Sequence, residues 1–218
     1  MLNPQQRAAV EHVDGPLLVL AGAGSGKTRV IVEKIAHLVA RGIAPPAKIA
    51  AITFTNKAAR EMRERVAKRV KREDAEALNV CTFHALGLKF LQIEHAHAGL
   101  RRGFSVLDAD DSAGIVKELA GASVKSDQLF AMRNLLSRLK SDGLTPDAAL
   151  DAARAPRELE AAKIYSAYQK RLAAFNAVDF DDLIRLPVDI LQRDEDLRLA
   201  WRERIRYLLV DECQDTNA

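Results

Sequence analysis

The sequence predicts an α/β protein in which helices lie on both faces of a parallel sheet and a mostly helical domain interrupts the sheet. Up to residue 87, apolar runs of strand length alternate with segments whose apolar residues recur at helical spacing. Residues 88–201 show helical spacing alone, and the apolar run 207–210 then returns the chain to the sheet. We therefore expect three segments, residues 1–87, 88–201 and 202–218, of which the first and third share one domain.

The order of elements rests on apolar runs and on the residues that separate them. A polar, amphipathic stretch at 4–12 predicts a short first helix, and a longer helix follows the glycine-rich loop at 21–28. Gly42 and the pair Pro45-Pro46 end that helix. Because strand, helix and strand follow in turn, we expect parallel strands joined by a right-handed crossover. The predicted strands are 17–20, 49–54, 78–82 and 207–210, and a further helix spans 56–71.

Composition excludes several classes of protein. The chain has 218 residues, 48% hydrophobic and 29% charged, which suits a soluble protein with a sizeable core. Its two cysteines, Cys81 and Cys213, are far apart without CxxC spacing, so neither a disulfide framework nor a zinc site is expected. Because it has no run of about 18 apolar residues and no secretory leader, we expect a cytoplasmic protein without a membrane segment.

The distribution of charge is more informative than its sum. The net charge of +3, from 33 Lys and Arg against 30 Asp and Glu, is too small to indicate a nucleic-acid partner by itself. Basic residues are concentrated on the predicted helix 56–71 and just after it: Arg60, Arg63, Arg65, Lys68, Arg69, Lys71 and Arg72. This run is either a solvated helix face or a phosphate-binding one, and the sequence leaves both open.

The glycine-rich loop carries the strongest chemical signal. Its residues are Ala21, Gly22, Ala23, Gly24, Ser25, Gly26, Lys27 and Thr28, which fit the phosphate-loop pattern GxxxxGK[ST] except that alanine holds the first position. Glycines let the backbone N–H groups face phosphates, and the helix that follows adds the positive end of its dipole. Lys27 is then expected at the β and γ phosphates and the Thr28 hydroxyl on Mg²⁺. The alternative, a plain glycine-rich turn, leaves the Lys-Thr pair unexplained.

An acidic pair directly follows the last predicted strand. In a parallel sheet the carboxyl ends of the strands meet at one edge, so Asp211 and Glu212 are expected beside the phosphate loop. Asp211 is the candidate Mg²⁺ contact and Glu212 the candidate general base. An acidic pair after a strand is also typical of a helix cap, but the five-residue run Asp-Glu-Cys-Gln-Asp is a more specific pattern than an acidic pair.

Five ordered motifs carry a resemblance to a known family. They are LNPQQ, AGAGSGKT, ITFTNKAAREM, TFHALG and LLVDECQD, and in order and spacing they resemble superfamily 1 DNA helicases of the UvrD, Rep and PcrA group, in particular the Rep branch. The resemblance covers essentially the whole chain and implies a P-loop NTPase fold of the RecA type. It also implies that the helical segment is a DNA-binding insertion.

The resemblance assigns further residues to the nucleotide site. Gln6 matches the glutamine that reads the adenine edge, which favours ATP over GTP, and Arg29 matches an arginine that packs on the base. Gln214 matches the residue that senses the γ-phosphate and couples it to the DNA site. Gln6 and Arg29 each have a simpler interpretation, since both residue types are usually solvated on helices.

The resemblance also assigns a single-stranded DNA surface. The matching residues are Phe54, Thr55, Asn56, Lys57, Thr82, Phe83, His84 and Phe180. Phe54 holds the base-stacking position, where an aromatic face beside amide and ammonium donors binds any base. Simpler interpretations remain: Phe54 could end a buried strand, His84 could be a partly buried histidine, and Phe180 could pack in a core. Asp179 and Asp182 around Phe180 are typical of a helix start rather than a metal site.

The resemblance implies an ATP-dependent, 3′-to-5′ DNA helicase that acts on single strands and forks in replication or repair. Such motors use two RecA-like halves, and by resemblance the second half lies beyond Ala218. We therefore expect this chain alone to bind nucleotide and DNA but to hydrolyse ATP poorly and not to unwind. Two rivals are a non-motor P-loop ATP-binding protein, such as a small-molecule kinase, and a scaffold that binds DNA without catalysis. Oligomeric state is left open.

Overall fold

The computed structural model describes residues 2–22, 24–121 and 124–215 and divides the chain into two compact units. One unit comprises residues 1–83 and 195–218, and the other comprises residues 84–194. The sequence places these boundaries at 87/88 and 201/202, so both descriptions return the end of the chain to the first unit. The structure is a mixed α/β fold with a parallel sheet and many helices, as predicted.

The helices and strands follow in an order close to the predicted one. The helices are α1 (Pro4–Glu11), α2 (Lys27–Ala40), α3 (Asn56–Ala67), α4 (Arg72–Ala77), α5 (Phe83–Ile93), α6 (Ala109–Ala120), α7 (Ser126–Ser141), α8 (Pro146–Ala152), α9 (Pro156–Ala174), α10 (Asp182–Arg193) and α11 (Glu195–Arg204). The strands are β1 (Ile49–Thr53), β2 (Asn79–Thr82), β3 (Ser105–Val106), β4 (Ala177–Val178) and β5 (Tyr207–Val210). None of the helices in the described ranges is both long and apolar enough to cross a membrane.

The sheet of the first unit places its functional motifs at one edge. Its order is β2-β1-β5 and both pairs are parallel, with Ala51 of β1 in register with Val80 and Leu209. In such a sheet all strands end on the same side. The residues that follow the strands, Phe54 and Asp211 among them, therefore lie along one edge.

One face of this sheet is covered by two helices. Ile49 and Ala51 of β1 share a buried apolar cluster with residues of α2 and α3, including Ile35, Leu38 and Met62. β1 is buried along its whole length, which explains why its sequence is a continuous apolar run rather than an alternating one. This core fixes the start of α2 relative to the end of β1.

The predicted strand 17–20 is wrong. Residues 16–22 form no regular element, and the side chains of Leu17 to Leu20 are exposed. Within the described residues, β5 is hydrogen bonded to β1 alone, and a cavity of about 560 Å³ is lined by residues of both the 17–19 segment and β5. An apolar run becomes a strand only when a neighbouring strand pairs with its backbone N–H and C=O groups. Here a cavity lined by both segments takes the place of such pairing with β5.

The predicted helix 56–71 is shorter than expected. α3 ends at Ala67, and the N–H groups of Arg69 and Val70 both donate to the carbonyl of Val66 in a closing turn. The turn brings Val70 against the buried cluster of the first unit. Because of it, the basic run does not lie on one helix, and its last four basic residues follow the end of α3.

The second unit is mostly helical and also contains a short parallel pair. Ser105 pairs with Ala177 and Val106 with Val178. Strands of two residues leave no periodic pattern, so the sequence gives no sign of them. The core of this unit lies between α6, α7, α8 and α9, with Tyr165 fully buried at its centre.

Two helices of the second unit approach each other at Gly87. A Cβ atom added there would lie 1.8 Å from the carbonyl oxygen of Leu183 in α10. Four residues after Leu183 stands Pro187, which has no N–H to donate to that oxygen. The absence of a side chain at Gly87 thus lets α5 lie directly against a carbonyl that the proline leaves without its helical donor.

Candidate functional site

The glycine-rich loop ends in a helix start that no side chain within the described ranges caps. Gly26 has a φ of +87°, in the left-handed region, and α2 begins at the next residue. Gly24, with a φ of +74°, needs the same freedom. The first N–H groups of α2 therefore face the loop side without a side-chain acceptor, an arrangement that suits an anion. Ala23 lies outside the described residues.

Lys27 folds back over the loop. Its Nζ donates to the carbonyls of Ala21, at 3.1 Å, and Gly22, at 3.4 Å, and lies 3.8 Å from Oε1 of Glu212. The two carbonyl oxygens are weaker acceptors than phosphate oxygens, to which an ammonium group forms charge-assisted bonds. The Lys27 ammonium is therefore close to the loop and can exchange these partners for a bound anion.

Asp211 and Thr28 form the central contact of the site. The Asp211 N–H donates to the carbonyl of Ile52 at 2.9 Å, which ties the residue to the end of β1. The Thr28 hydroxyl donates to Oδ2 of Asp211 at 3.0 Å. Asp211 is only 8% exposed, and among the described residues its buried Oδ1 has no hydrogen-bond partner.

This arrangement fits a hard divalent cation. A buried carboxylate oxygen without a partner costs free energy unless a cation or a donor satisfies it. Mg²⁺ prefers oxygen ligands, usually one or two carboxylates together with phosphates and water. The Thr28 hydroxyl and the Asp211 carboxylate supply such oxygens at the start of α2.

Glu212 lies between two polar side chains. Its backbone has a φ of +55°, a conformation that residues other than glycine rarely adopt and that clusters at functional sites. Its Oε2 accepts from Nε2 of Gln214 at 2.5 Å, while its Oε1 faces the Lys27 ammonium. The neighbouring carboxylates of Asp211 and Glu212 thus contact consecutive residues of the loop.

Gln6 lies beside the same loop. Its Oε1 accepts from the Asn3 N–H at 3.0 Å in a capping box, and its Nε2 donates to the carbonyl of Ser25 at 2.9 Å. Both ends of the amide are therefore engaged. Each end keeps a second hydrogen-bonding position, an N–H on Nε2 and a lone pair on Oε1, that these contacts do not use. The adenine-reading role of Gln6 stays a prediction, as does the role of the exposed Arg29.

Lys34 is a residue that motif analysis misses. It is buried, and its Nζ donates to the carbonyls of Ala9, at 2.9 Å, and His12, which fastens the end of α1 to α2. Burial lowers the pKa of this lysine. A lysine at an apolar position of the α2 pattern, one residue before Ile35, was the available signal.

Phe54 and the residues after it form an exposed segment at the sheet edge. β1 ends at Thr53, and the Phe54 side chain is 58% exposed, which argues against the interpretation that it ends a buried strand. Thr55 caps α3 by accepting from the Ala58 N–H at 3.1 Å. Asn56 and Lys57 are exposed in the first turn of α3.

The second predicted DNA segment is less uniform. Thr82 is buried at the end of β2, Phe83 is half-buried, and His84 is exposed. Within the second unit, the rings of His84 and Phe180 lie 5.4 Å apart between centroids. Phe180 is 54% exposed, more than a side chain that only fills a core. The site roles of these residues stay predictions.

Comparison with known proteins identifies the family. A sequence profile described as the UvrD/REP helicase N-terminal domain matches residues 2–218. The chain belongs to the UvrD/REP helicase N-terminal domain family. This confirms the resemblance read from the five motifs.

Relatives of this UvrD/REP domain carry consistent names. The chain is 49% identical over 219 residues to the ATP-dependent DNA helicase Rep of Escherichia coli, covering 99% of this chain and 32% of Rep. It is 41% identical over 219 residues to the ATP-dependent DNA helicase PcrA of Leuconostoc citreum, covering 99% and 29%. It is 44% identical over 228 residues to the ATP-dependent DNA helicase UvrD1 of Mycobacterium bovis, covering 99% and 29%. The chain thus spans about a third of the length of these relatives.

Within this UvrD/REP domain, the fold joins residues that are distant in sequence. Thr28 and Asp211 are 183 positions apart and form a hydrogen bond, and Lys27 and Glu212 face each other beside them. These four residues belong to the first unit, whereas His84 and Phe180 belong to the second.

Proposed function

We propose that the full-length protein is an ATP-dependent DNA helicase and that this chain supplies one side of its ATP site and part of its single-stranded DNA surface. The observation that carries the proposal is the contact between the Thr28 hydroxyl and the buried carboxylate of Asp211. The parallel sheet and the loop before α2 support a P-loop NTPase fold of the RecA type.

The phosphates are held by the loop and by the first N–H groups of α2. Lys27 would exchange its loop carbonyls for β- and γ-phosphate oxygens, and Thr28 and Asp211 would hold Mg²⁺. When bound, Mg²⁺ supplies positive charge that offsets the charge developing on the transferred phosphoryl group. Glu212 accepts the proton of the attacking water, and Gln214 orients the Glu212 carboxylate.

Single-stranded DNA is bound without regard to sequence. Phe54 offers an exposed aromatic face to a base, while Asn56 and Lys57 offer an amide and an ammonium group to the backbone. Phe180 with His84 forms a second aromatic contact in the helical unit. By resemblance, movement along the strand runs 3′ to 5′ and serves replication or repair.

The chain by itself is proposed to bind ATP and DNA but to hydrolyse slowly. The named helicases are about three times as long as this chain, and motors of this class complete the ATP site with arginines from a second half. An arginine finger contributes about 10³ to 10⁵ in rate in related phosphoryl-transfer enzymes. Full activity is therefore expected only of the full-length protein.

Strand separation by the full-length protein tests the proposal. We expect ATP-dependent unwinding of a duplex with a 3′ single-stranded tail, little unwinding with a 5′ tail, and none by Lys27→Ala. The matched control is Lys48→Ala, because Lys48 precedes β1, and its only described ion pair is with the exposed Glu203. Unwinding that survives in Lys27→Ala contradicts the proposal. ATP and DNA binding without unwinding by any variant favours a non-motor ATP-binding protein or a scaffold.

A further inference from the structure

The second unit contains a cavity of whose lining only Phe180 belongs to the proposed ATP and DNA contacts. It measures about 450 Å³ and lies between α6, α7 and the turn that follows β4. Its volume falls within the range of small-ligand sites, which is about 300 to 1,000 Å³. The lining residues that matter here are Phe130, Arg133, Asn134, Asp108, Phe180 and Asp181.

One wall is a face of α7 that carries three side chains suited to recognition. Phe130, Arg133 and Asn134 are spaced three and four residues apart, so they share one face of the helix. Phe130 is 64% exposed. Neither Arg133 nor Asn134 has a side-chain hydrogen bond or ion pair to any residue within 2–22, 24–121 and 124–215. An aromatic ring beside an unengaged guanidinium and amide is the combination that binds unpaired nucleotides.

The opposite wall is the turn that carries Phe180, and a buried network makes it rigid. The Lys140 Nζ lies 2.6 Å from Oδ2 of Asp179 and 3.1 Å from Oδ2 of Asp182. The same Asp179 carboxylate accepts from the Tyr168 hydroxyl at 2.9 Å and from the Asp182 N–H at 3.0 Å. Because Lys140 and Asp182 are almost fully buried, the turn has little freedom to move. A fixed wall loses little entropy when a ligand binds.

The charges around the cavity favour a base over a phosphate. Asp108, Asp179 and Asp181 line it together with the two phenylalanines. The Lys140 ammonium among them is already paired with Asp179, which leaves the carboxyl groups of Asp108 and Asp181. Two carboxylates repel a phosphate from the interior but not an uncharged ring. Arg133 supplies the one guanidinium among the residues that line this cavity, suited to the sugar-phosphate chain on either side of an inserted base.

We propose that this cavity binds one nucleobase of the single strand that also contacts Phe180, with Phe130 and Phe180 against the base, Asn134 at its edge and Arg133 on the adjacent phosphate. The proposal rests on the proposed function, because it takes the strand at Phe180 to be DNA. Phenyl rings accept any base, so the site contributes affinity without sequence preference.

Equilibrium binding of a fluorescent oligothymidylate to the full-length protein tests this site. We expect Phe130→Ala to weaken binding by about tenfold, the usual loss when one stacking side chain is removed. The matched control is Phe175→Ala, which removes a phenyl ring of similar exposure in the same unit but outside the cavity. Phe130→Leu should lose a similar factor while it keeps an apolar side chain on α7. Equal losses for Phe130→Ala and Phe175→Ala overturn the proposal.

A second comparison separates the site from general electrostatics. Arg133→Gln and Arg138→Gln remove the same charge from α7, but Arg138 pairs with Asp142 and does not line the cavity. We expect only Arg133→Gln to weaken binding by more than about threefold, since a distant surface charge is screened by salt. Equal effects of the two substitutions contradict the proposal.

Abasic probes show whether a base enters the cavity. When one abasic nucleotide is moved along the strand, we expect a position at which it weakens binding of the unsubstituted protein but not of Phe130→Ala. If every position affects both proteins alike, the cavity holds no base. Phe54→Ala distinguishes the two proposals. If it leaves single-strand binding unchanged, the proposed DNA surface fails, whereas loss in Phe54→Ala without loss in Phe130→Ala rejects only the cavity site.

Discussion

At the scale of single residues, the site is defined by polar groups that the fold leaves incompletely satisfied. The buried Oδ1 of Asp211 lacks a partner among the described residues, and Glu212 holds a strained backbone. Both features cost free energy in the unliganded chain. A group that costs stability and lies beside the glycine-rich loop is best explained by a ligand that satisfies it.

Asp211→Asn tests both the proposed metal contact of Asp211 and the stability cost of its buried charge. The change keeps the shape of the side chain but removes its charge, so we expect the affinity for ATP with Mg²⁺ to fall about tenfold or more, close to the affinity measured with EDTA. Thermal stability without nucleotide should stay the same or rise, because a buried charge is lost. Calorimetric titration with and without Mg²⁺ and a thermal scan measure both. Unchanged Mg²⁺ dependence contradicts a metal role for Asp211.

The sequence predicts the residues of the site better than their partners. Lys27, Thr28 and Asp211 follow from a loop pattern and from an acid after a strand, and the structure places Thr28 in contact with Asp211 and Lys27 beside Glu212. The sequence does not predict that Gln6 is already bonded to Ser25, or that Lys34 fastens α1 to α2. Such contacts depend on how two helices are placed, which no local pattern encodes.

At the scale of elements, apolar runs predict strands only where the sheet supplies neighbours. β1, β2 and β5 lie within the predicted strands, and β1, the strand with both neighbours, is buried along its whole length and has an apolar run on both faces. The run 17–20 has the same composition, but it has no ladder partner in the described residues. The end of α3 at Ala67 was also missed, because a closing turn at Val66 depends on packing of Val70.

The contact between α5 and α10 gives a prediction at this scale. Gly87→Ala should force the two helices apart, since its Cβ would meet the Leu183 carbonyl at 1.8 Å, and overpacking of this kind costs about 1–3 kcal/mol. Gly114→Ala in α6 is the control, because its Cβ meets no atom within 4 Å and alanine is the better helix former. Hydrogen exchange of the α5 and α10 amides in the full-length protein should speed up only in Gly87→Ala. Equal exchange in both variants contradicts the close contact.

At the scale of the whole molecule, motif order is more informative than any single motif. A phosphate loop alone is compatible with a small-molecule kinase. The same loop followed in order by the Phe54, Phe83 and Asp211 segments resembles one helicase family. The profile match over residues 2–218 confirms this family assignment. The last three segments each follow a strand of the parallel sheet, so the fold brings them to one edge. The two-residue strands and the cavity of the second unit could not be predicted, because they arise from contacts between distant helices.

ATP hydrolysis with and without single-stranded DNA is the measurement that tests the central claim most directly. In the full-length protein we predict that DNA raises the rate, and that Glu212→Gln lowers the stimulated rate by about 10² to 10⁴ while ATP still binds, because only the proton acceptor is lost. A rate that ignores DNA, or a Glu212→Gln variant that hydrolyses at the normal rate, would contradict the account.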